Sequence, residues 1–516
     1  MRRDLSSNPA RQKLLHTFLH AFSFILVGGL GLANLACESR SELFSETTGT
    51  LDSQPMESNT TVSNSTQASS TPAQPDKLSL WTRTQGEDWP RMLGVRYDSK
   101  SSETGILKEW PKEGLKVLWS QKTGIGYGNG VAALGRWLQF DRFDTVERLS
   151  CYEAQTGNFL WKWEAPVSYR DEYGYNDGPR ASPLVDGQSV YVYGVTGRLA
   201  CIDIVTGKEQ WQREMSKEYG VVPNFFGVGA TPLVYENLLI TMVGGSPQQG
   251  FLRGEPSIND LPRAKPNGSA MVALDKRTGK EVYRVGNYLA SYSAPIIASL
   301  GGVDHCVALV REGLLTFQAK DGSGEAFFPW RAAMLESVNA ASPVVFDDKI
   351  FISEAYEIGS ALLEWKNQQL SLLWKDSGGR SSQAMRTHWT TPLLDGKRLY
   401  ASSGRNPPDT DIRCIELQNE QPPKVVWSQR NRDRGTGLIV DGHWLWLGEY
   451  GKLQLYSLQS DEWKVLSEMD LQSLVDPKDK LPLIEPPSWA PPVLSHGLLF
   501  VRGANRVVCL ELIPQP

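Results

Sequence analysis

The strongest constraint on this chain is a phrase that recurs. CYEAQTGNFLW (151–161), CIDIVTGKEQW (201–211) and ALDKRTGKEVY (273–283) share one order: a small residue, an apolar or aromatic one, an acid, then Thr-Gly, and an aromatic four residues past the Gly. This reads as two strands joined by a tight turn, with Gly supplying the positive φ and polar neighbours satisfying the turn backbone. The aromatic marks the outgoing strand, where a flat ring packs well on a pleated surface. Looser copies end at Trp330, Trp374, Trp427 and Trp463, and LKVLW ends at Trp119. With Trp161, Trp211 and Tyr283 these make eight markers, 36 to 72 residues apart.

A second signal runs out of phase with the first. A small residue and a Pro precede an apolar run in ASPLVDG (from Ala181), ATPLVYE (Ala230), SAPIIAS (Ser293), ASPVVFDD (Ala341), TTPLLDG (Thr390) and APPVLSHG (Ala490). GNGVAALG (Gly128) and GTGLIVDG (Gly435) are degenerate copies, again eight in all. Pro suits the first residue of a strand, where no ladder hydrogen bond is lost. Repeats of this period, with about four short strands each, predict an all-β chain folded as an eight-bladed β-propeller. A seven-bladed ring is the fallback. A β-sandwich with accidental similarity is the competing reading, and two independent eightfold markers weigh against it. The last copy stops after its third strand and the first marker is a lone fourth strand. The N-terminal strand near Trp119 is therefore expected to complete the C-terminal blade near Cys509, leaving no free edge.

The N-terminus differs in composition. Residues 1–37 combine Arg2, Arg3, Arg11 and Lys13 with a short apolar stretch and small residues, the pattern of an export signal. Cys37 follows Asn-Leu-Ala, so lipidation there competes with simple cleavage or an uncleaved anchor. Residues 38–77 are rich in Ser and Thr and nearly devoid of large apolar residues, and are expected to be a disordered tether. Residues 78–516 are expected to form the propeller. Membrane contact is expected only through the N-terminal anchor, and the head is expected to be monomeric.

Net charge is −5, which gives no push toward nucleic acid. Cys151, Cys201, Cys414 and Cys509 hold one repeat position, third strand before the acid, and read as small core residues, as does Cys306. No CxxC or Cys-Cys pair occurs, and HExxH, GxxxxGK[ST], GxSxG and an EF-hand loop are all absent from the sequence.

In a propeller the loops joining strand 4 to strand 1 and strand 2 to strand 3 share one face. Here that set is long and rich, and the opposite set is short and plain. Function concentrates on longer loops held by a rigid scaffold. This face carries Arg180, Arg198, Arg311, Arg386, Arg405, Arg434, Arg502 and Arg506, with Asp177, Asp433 and Glu449 among them. The candidate ligand-binding residues are Arg180, His388, Arg405, Arg434 and Glu449, set to hold an anionic or peptide-like group through guanidinium forks. Inter-blade salt bridges are the competing account of the arginines, and a cap or core-edge role the competing account of His388. No catalytic residue and no metal ligand is assigned. The Pro- and Gly-rich insert 244–268 is expected to be an exposed loop.

LACIDIVTGKEQW, MVALDKRTGKEVY, DGPRASPLVDGQSVYVYGVTGRLACID and RGTGLIVDGHWLWLGEYGKL resemble the repeats of the pyrroloquinoline-quinone-like (PQQ-like) β-propeller family, over about residues 85 to 512. The likeness is to exported bacterial members within the quinoprotein alcohol dehydrogenase-like superfamily. It implies the propeller fold and one of two functions. Quinoprotein alcohol dehydrogenases hold PQQ and calcium, typically beneath a vicinal disulfide. The propeller lipoprotein of the outer-membrane barrel assembly machinery binds protein without a cofactor. Lacking a Cys-Cys pair and a CxxCH haem motif, this chain is expected to be a non-catalytic binding or scaffold module of the cell envelope, in the periplasm or anchored on its periplasmic side. Its partner would be an envelope protein or a small anionic ligand. A PQQ-dependent alcohol dehydrogenase-like oxidoreductase, with calcium, is the alternative.

Overall fold

The computed structural model describes residues 78–246, 257–337, 339–458 and 461–515. The export signal, Cys37 and the tether lie outside the described residues, as does the middle of the 244–268 insert.

Eight sheets follow one another along the chain, each with four antiparallel strands, and one of them gains a short fifth strand paired in parallel. Blade 1 comprises Val131–Ala133, Arg136–Phe143, Val146–Glu153 and Phe159–Pro166. Blades 2 to 7 open at Leu184, Leu233, Ile296, Val344, Leu393 and Gly435. Blade 8 takes three strands from the C-terminus, Val493–Ser495, Leu498–Arg502 and Arg506–Glu511, and its fourth from Val117–Lys122. Trp119 lies directly opposite Cys509, so the two ends share one sheet as expected.

The recurring phrase is glue between neighbours. Trp119 of blade 8 donates its indole N–H to the Ala154 carbonyl of blade 1 at 2.9 Å. Trp161 does the same to Ile204 of blade 2 at 3.0 Å, and Trp211 to Lys276 of blade 3 at 3.2 Å. Each indole lies flat on the turn Gly of the next blade. Gly207 has φ of 69°, and a Cβ there would come within 2.6 Å of the Trp161 ring. The turn needs glycine twice over, for the left-handed φ and for the ring's approach. The acid of the phrase stiffens the same turn: Asp203 accepts the Thr206 N–H at 2.7 Å and its hydroxyl at 2.8 Å. The small third-strand residue has its reason too. Cys151, Cys201, Cys414 and Cys509 sit opposite Trp161, Trp211, Trp427 and Trp119 in the strand register, and all are free thiols in the core.

Two aromatic markers are displaced. Trp330 falls just past its strand, Ala326–Pro329, where Phe327 holds the register position opposite Leu315. Trp463 precedes its strand, Val465–Asp470. The described end of the long insert is also not simply exposed. A 3-10 turn, Ile258–Arg263, is closed by Ser257 and Asp260, and Leu261 is buried with Val222, Phe225 and Leu289. An apolar side chain within reach of a core outweighs the loop-like composition around it.

The segment before Val117 has an unexpected role. The Leu80 N–H bonds the Leu134 carbonyl, and Trp89 bridges Ala132 on the axial strand of blade 1. The Val185 N–H of blade 2 bonds Pro90, and Lys100–Ser101 pair in parallel with Ile439–Val440 of blade 7. The Glu103 carboxylate takes the N–H groups of His496 and Gly497 of blade 8 at 2.8 and 2.6 Å. Trp89 and Leu93 are almost fully buried. The segment thus lies across the axial strands at their 1–2-turn ends, on the side of the ring opposite the loop-rich face.

Candidate functional site

Blades 5, 6 and 7 bring four of the five candidate residues together. Arg434, in the connection from blade 6 to blade 7, forms a two-pronged pair with Glu449: Nη2 lies 2.6 Å from Oε2, and Nε lies 3.2 and 3.1 Å from the two oxygens. The Arg434 backbone N–H donates to Glu449 at 3.1 Å, and the Glu449 N–H returns a bond to the Arg434 carbonyl. Glu449 also accepts the Trp489 indole N–H at 3.1 Å, so this buried carboxylate has no lone pair to spare for proton transfer.

The remaining prong of Arg434 points the other way. Nη1 donates to the Arg405 carbonyl at 3.0 Å, to the Asn406 side-chain oxygen at 3.2 Å and to His388 Nδ1 at 3.3 Å. A guanidinium can only donate, so His388 Nδ1 accepts and the imidazole proton sits on Nε2. Nε2–H then donates to Tyr356 Oη, 3.2 Å away, which leaves the phenol proton free to point into the mouth. Burial, reinforced by Arg434 and Arg405, pushes the His388 pKa down to about 3. His388 is a neutral spacer between a cation and a phenol.

Aromatic rings frame these charges. The Arg434 guanidinium lies 4.6 Å above the Trp389 ring and 5.3 Å from Trp489. The Trp389 indole donates to the Trp489 carbonyl at 3.1 Å, and Tyr127 packs on Trp489 with ring centres 4.7 Å apart. Arg405 lies 4.6 Å above Tyr356. Its guanidinium, unlike that of Arg434, has no ion pair or hydrogen bond among the described residues.

Arg180 stands apart from this group. It pairs with the buried Asp171 at 2.6 Å and reaches the cluster only through Tyr127, 5.6 Å from its guanidinium. The other face arginines have structural partners. Arg198 pairs with Glu214, Arg386 with Asp409, Arg502 with Asp141 of the next blade, and Arg506 with Asp476 and Asp479. Arg311 bonds Asn224 and the Leu335 carbonyl, and burial with Arg331 nearby lowers its pKa to about 10. Sequence reasoning missed Tyr356, Trp389, Trp489 and Tyr127. The one available signal was that all four sit in connections on the loop-rich face. A separate, mostly apolar cavity is lined by Val222, Asn224, Leu261, Leu289 and Ser291, and none of the residues lining it belongs to the Arg405 group.

The fold and its loop-rich mouth define a closed eight-bladed propeller with a polar, aromatic-framed rim. Residues 111–269 match a family model described as outer membrane protein assembly factor BamB. Among solved structures, BamB from Moraxella catarrhalis is similar at 11% identity, over 78% of this chain and 99% of that one, with a TM-score of 0.48. A quinohemoprotein alcohol dehydrogenase from Comamonas testosteroni is similar at 13% identity, over 83% and 81%, with a TM-score of 0.46. A europium-containing methanol dehydrogenase is similar at 11% identity, over 81% and 90%, with a TM-score of 0.43. No curated protein matches the sequence. The chain is an eight-bladed β-propeller, and its residues 111–269 resemble PQQ-like repeats.

Proposed function

We propose that this propeller is a non-catalytic binding or scaffold module of the bacterial cell envelope, exported and held by its N-terminus on the periplasmic side. It engages a protein segment or an anionic group on the loop-rich face. The observation that carries this reading is the state of the only histidine and carboxylate in the cluster. His388 is neutral and pinned at both nitrogens, and Glu449 is saturated by Arg434 and Trp489. A general acid or base needs a proton site within reach of substrate and a pKa near the working pH, and neither group has both. What remains at the mouth is recognition chemistry, namely rings, a phenol and a guanidinium without a counter-ion among the described residues. The family match to a protein-assembly factor supports the same reading.

The quinone-dependent alternative draws no support from the donor set. No three His, Cys, Asp or Glu side chains among the described residues converge to hold a metal ion, and the described cysteines stand singly in separate strands. The test is reconstitution with PQQ and calcium, followed by dye-linked alcohol oxidation. The expected result is no bound quinone and no turnover, while the immobilised protein retains an envelope partner. Quinone-dependent turnover would overturn the proposal.

A further inference from the structure

The loop 168–180 is braced at its base and bare at its tip. Asp171 accepts the N–H groups of Tyr173 and Asn176 at 2.9 and 3.3 Å as well as the Arg180 guanidinium. Asp177 takes the Asp171 N–H at 2.7 Å, and its own carbonyl accepts from Arg142 at 3.0 Å. On this frame Tyr173 and Tyr175 stay 51% and 61% exposed. Phe225 and Phe226 back them, with Tyr173–Phe225 ring centres 5.8 Å apart and Tyr175–Phe226 6.1 Å apart. The Phe226 N–H is fixed to the Tyr292 hydroxyl at 2.6 Å. Aromatics on a rigid frame lose little entropy when covered, which is how binding surfaces concentrate their energy.

Beside this shelf, Arg405 stacks its face on Tyr356, and its N–H edge has no partner among the described residues. A stacked guanidinium with a free edge suits the in-plane fork of a carboxylate. The two poles share one apolar cluster: Tyr356, beneath Arg405, belongs to the same buried group as Phe225, which backs Tyr173. Glu336 is exposed in the blade 4 to blade 5 connection on the same face, so a ligand with one acid meets less repulsion there than one with several.

Resting on the binding reading above, we propose that this mouth takes a peptide segment of an envelope protein in which a single carboxylate forks onto Arg405 and a neighbouring aromatic side chain covers the Tyr173–Tyr175 shelf. The probe is a set of acetylated, amidated peptides with a central Glu-Phe pair in a Gly/Ser background, titrated by calorimetry and tryptophan fluorescence against the full chain. Gln-Phe, Lys-Phe and Glu-Ala versions serve as controls. The Glu-Phe peptide is expected to bind at least about tenfold more tightly than each control, a difference of about 1.4 kcal/mol. Arg405→Ala and the Tyr173→Ala/Tyr175→Ala pair are each expected to lose that margin with an unchanged melting temperature, and Arg405→Lys to recover part of it. Equal binding of the Gln-Phe peptide, an unaffected Arg405→Ala variant, or no peptide binding at all overturns the proposal. Cross-linking to envelope extract separates the two levels. A partner held equally by wild type and Arg405→Ala sinks this inference and leaves the scaffold reading standing. No partner in either, together with quinone-dependent turnover, sinks both.

Discussion

The two halves of the ring are built differently. From blade 8 through blade 4 every junction uses the same device, an aromatic of one blade lying on the turn Gly of the next: Trp119 on Gly157, Trp161 on Gly207, Trp211 on Gly279 and Tyr283 on Gly322. From blade 5 to blade 7 the turn glycine is gone. Trp427 meets the Trp463 ring instead, with centres 5.2 Å apart, and Trp463 also packs on Tyr456 at 4.3 Å. The family match, 111–269, falls in the uniform half, and the Arg405 group falls in the other. The regular junctions hold register and close the ring. The irregular blades, released from the repeat, carry the unusual loop chemistry. Rigid scaffold and variable loops here divide along the ring as well as between strand and loop.

The largest effect should come from breaking a uniform junction at the closure. Trp119→Ala removes a buried indole and its bond to Ala154 in the one blade that joins the two ends. The expected cost is about 3–5 kcal/mol, read as a lower denaturant midpoint. Trp463→Ala, at a partly exposed ring stack, should cost about half as much. If the two variants fall together, the halves are energetically equivalent and the comparison fails. A finer cut compares two glycines. Gly207→Ala adds a methyl 2.6 Å from the Trp161 ring at φ of 69°, whereas Gly396→Ala meets nothing within 4 Å at φ of 57°. Both pay left-handed strain, about 1 kcal/mol. Gly207→Ala should lose about 1–3 kcal/mol more from crowding, and that excess measures the clasp itself. Equal losses would mean that the indole moves aside at no cost.

The uniform half is also the legible half. Trp, Thr-Gly and the small-residue Pro repeat because each blade needs the same contacts, so periodicity reports them directly. Closure followed from the phase of the copies, and the Trp119–Cys509 pairing bears it out. The placement of Trp330 and Trp463 was less legible: Trp330 slips although its turn keeps Gly322 and Gly324, and Trp463 slips in a turn without glycine, so the marker alone does not fix the register. The gathering of His388, Arg405, Arg434 and Glu449 was accessible only as far as shared loop face. Tyr356 and Trp489 join them from 32 residues before and 101 after His388, and no local pattern encodes such a contact. The course of Trp89 to Glu103 was invisible for a similar reason: it matches no repeat and takes its shape from the axial strands beneath it.

The smallest of these effects tests the irregular half by pH. His388 is held neutral in the fold down to about pH 3, whereas the unfolded imidazole titrates near 6.5. Above pH 6.5 neither state binds the proton, and this group contributes no pH dependence. Between 6.5 and 3 the unfolded chain takes up a proton that the folded chain refuses, so stability falls as pH falls. From pH 7 to pH 5 the loss is at most about 2 kcal/mol, and closer to about 1 because part of the ring meets solvent at the mouth. His388→Gln keeps an acceptor for Arg434 and a donor for Tyr356 but cannot titrate. Its denaturation midpoint should therefore change less between pH 7 and pH 5 than the wild type's does. Glu147, in the uniform half, pulls the other way. Burial raises its pKa to about 7 against the Val195 N–H that favours its charge, so it withdraws stability as pH rises from 4.5 to 7. Glu147→Gln should relieve that loss and steepen the acid side. If His388→Gln leaves the pH slope unchanged while Glu147→Gln shifts it, the imidazole is charged or solvated in the fold. The neutral spacer between Arg434 and Tyr356, and with it the free phenol proton at the mouth, would then be wrong.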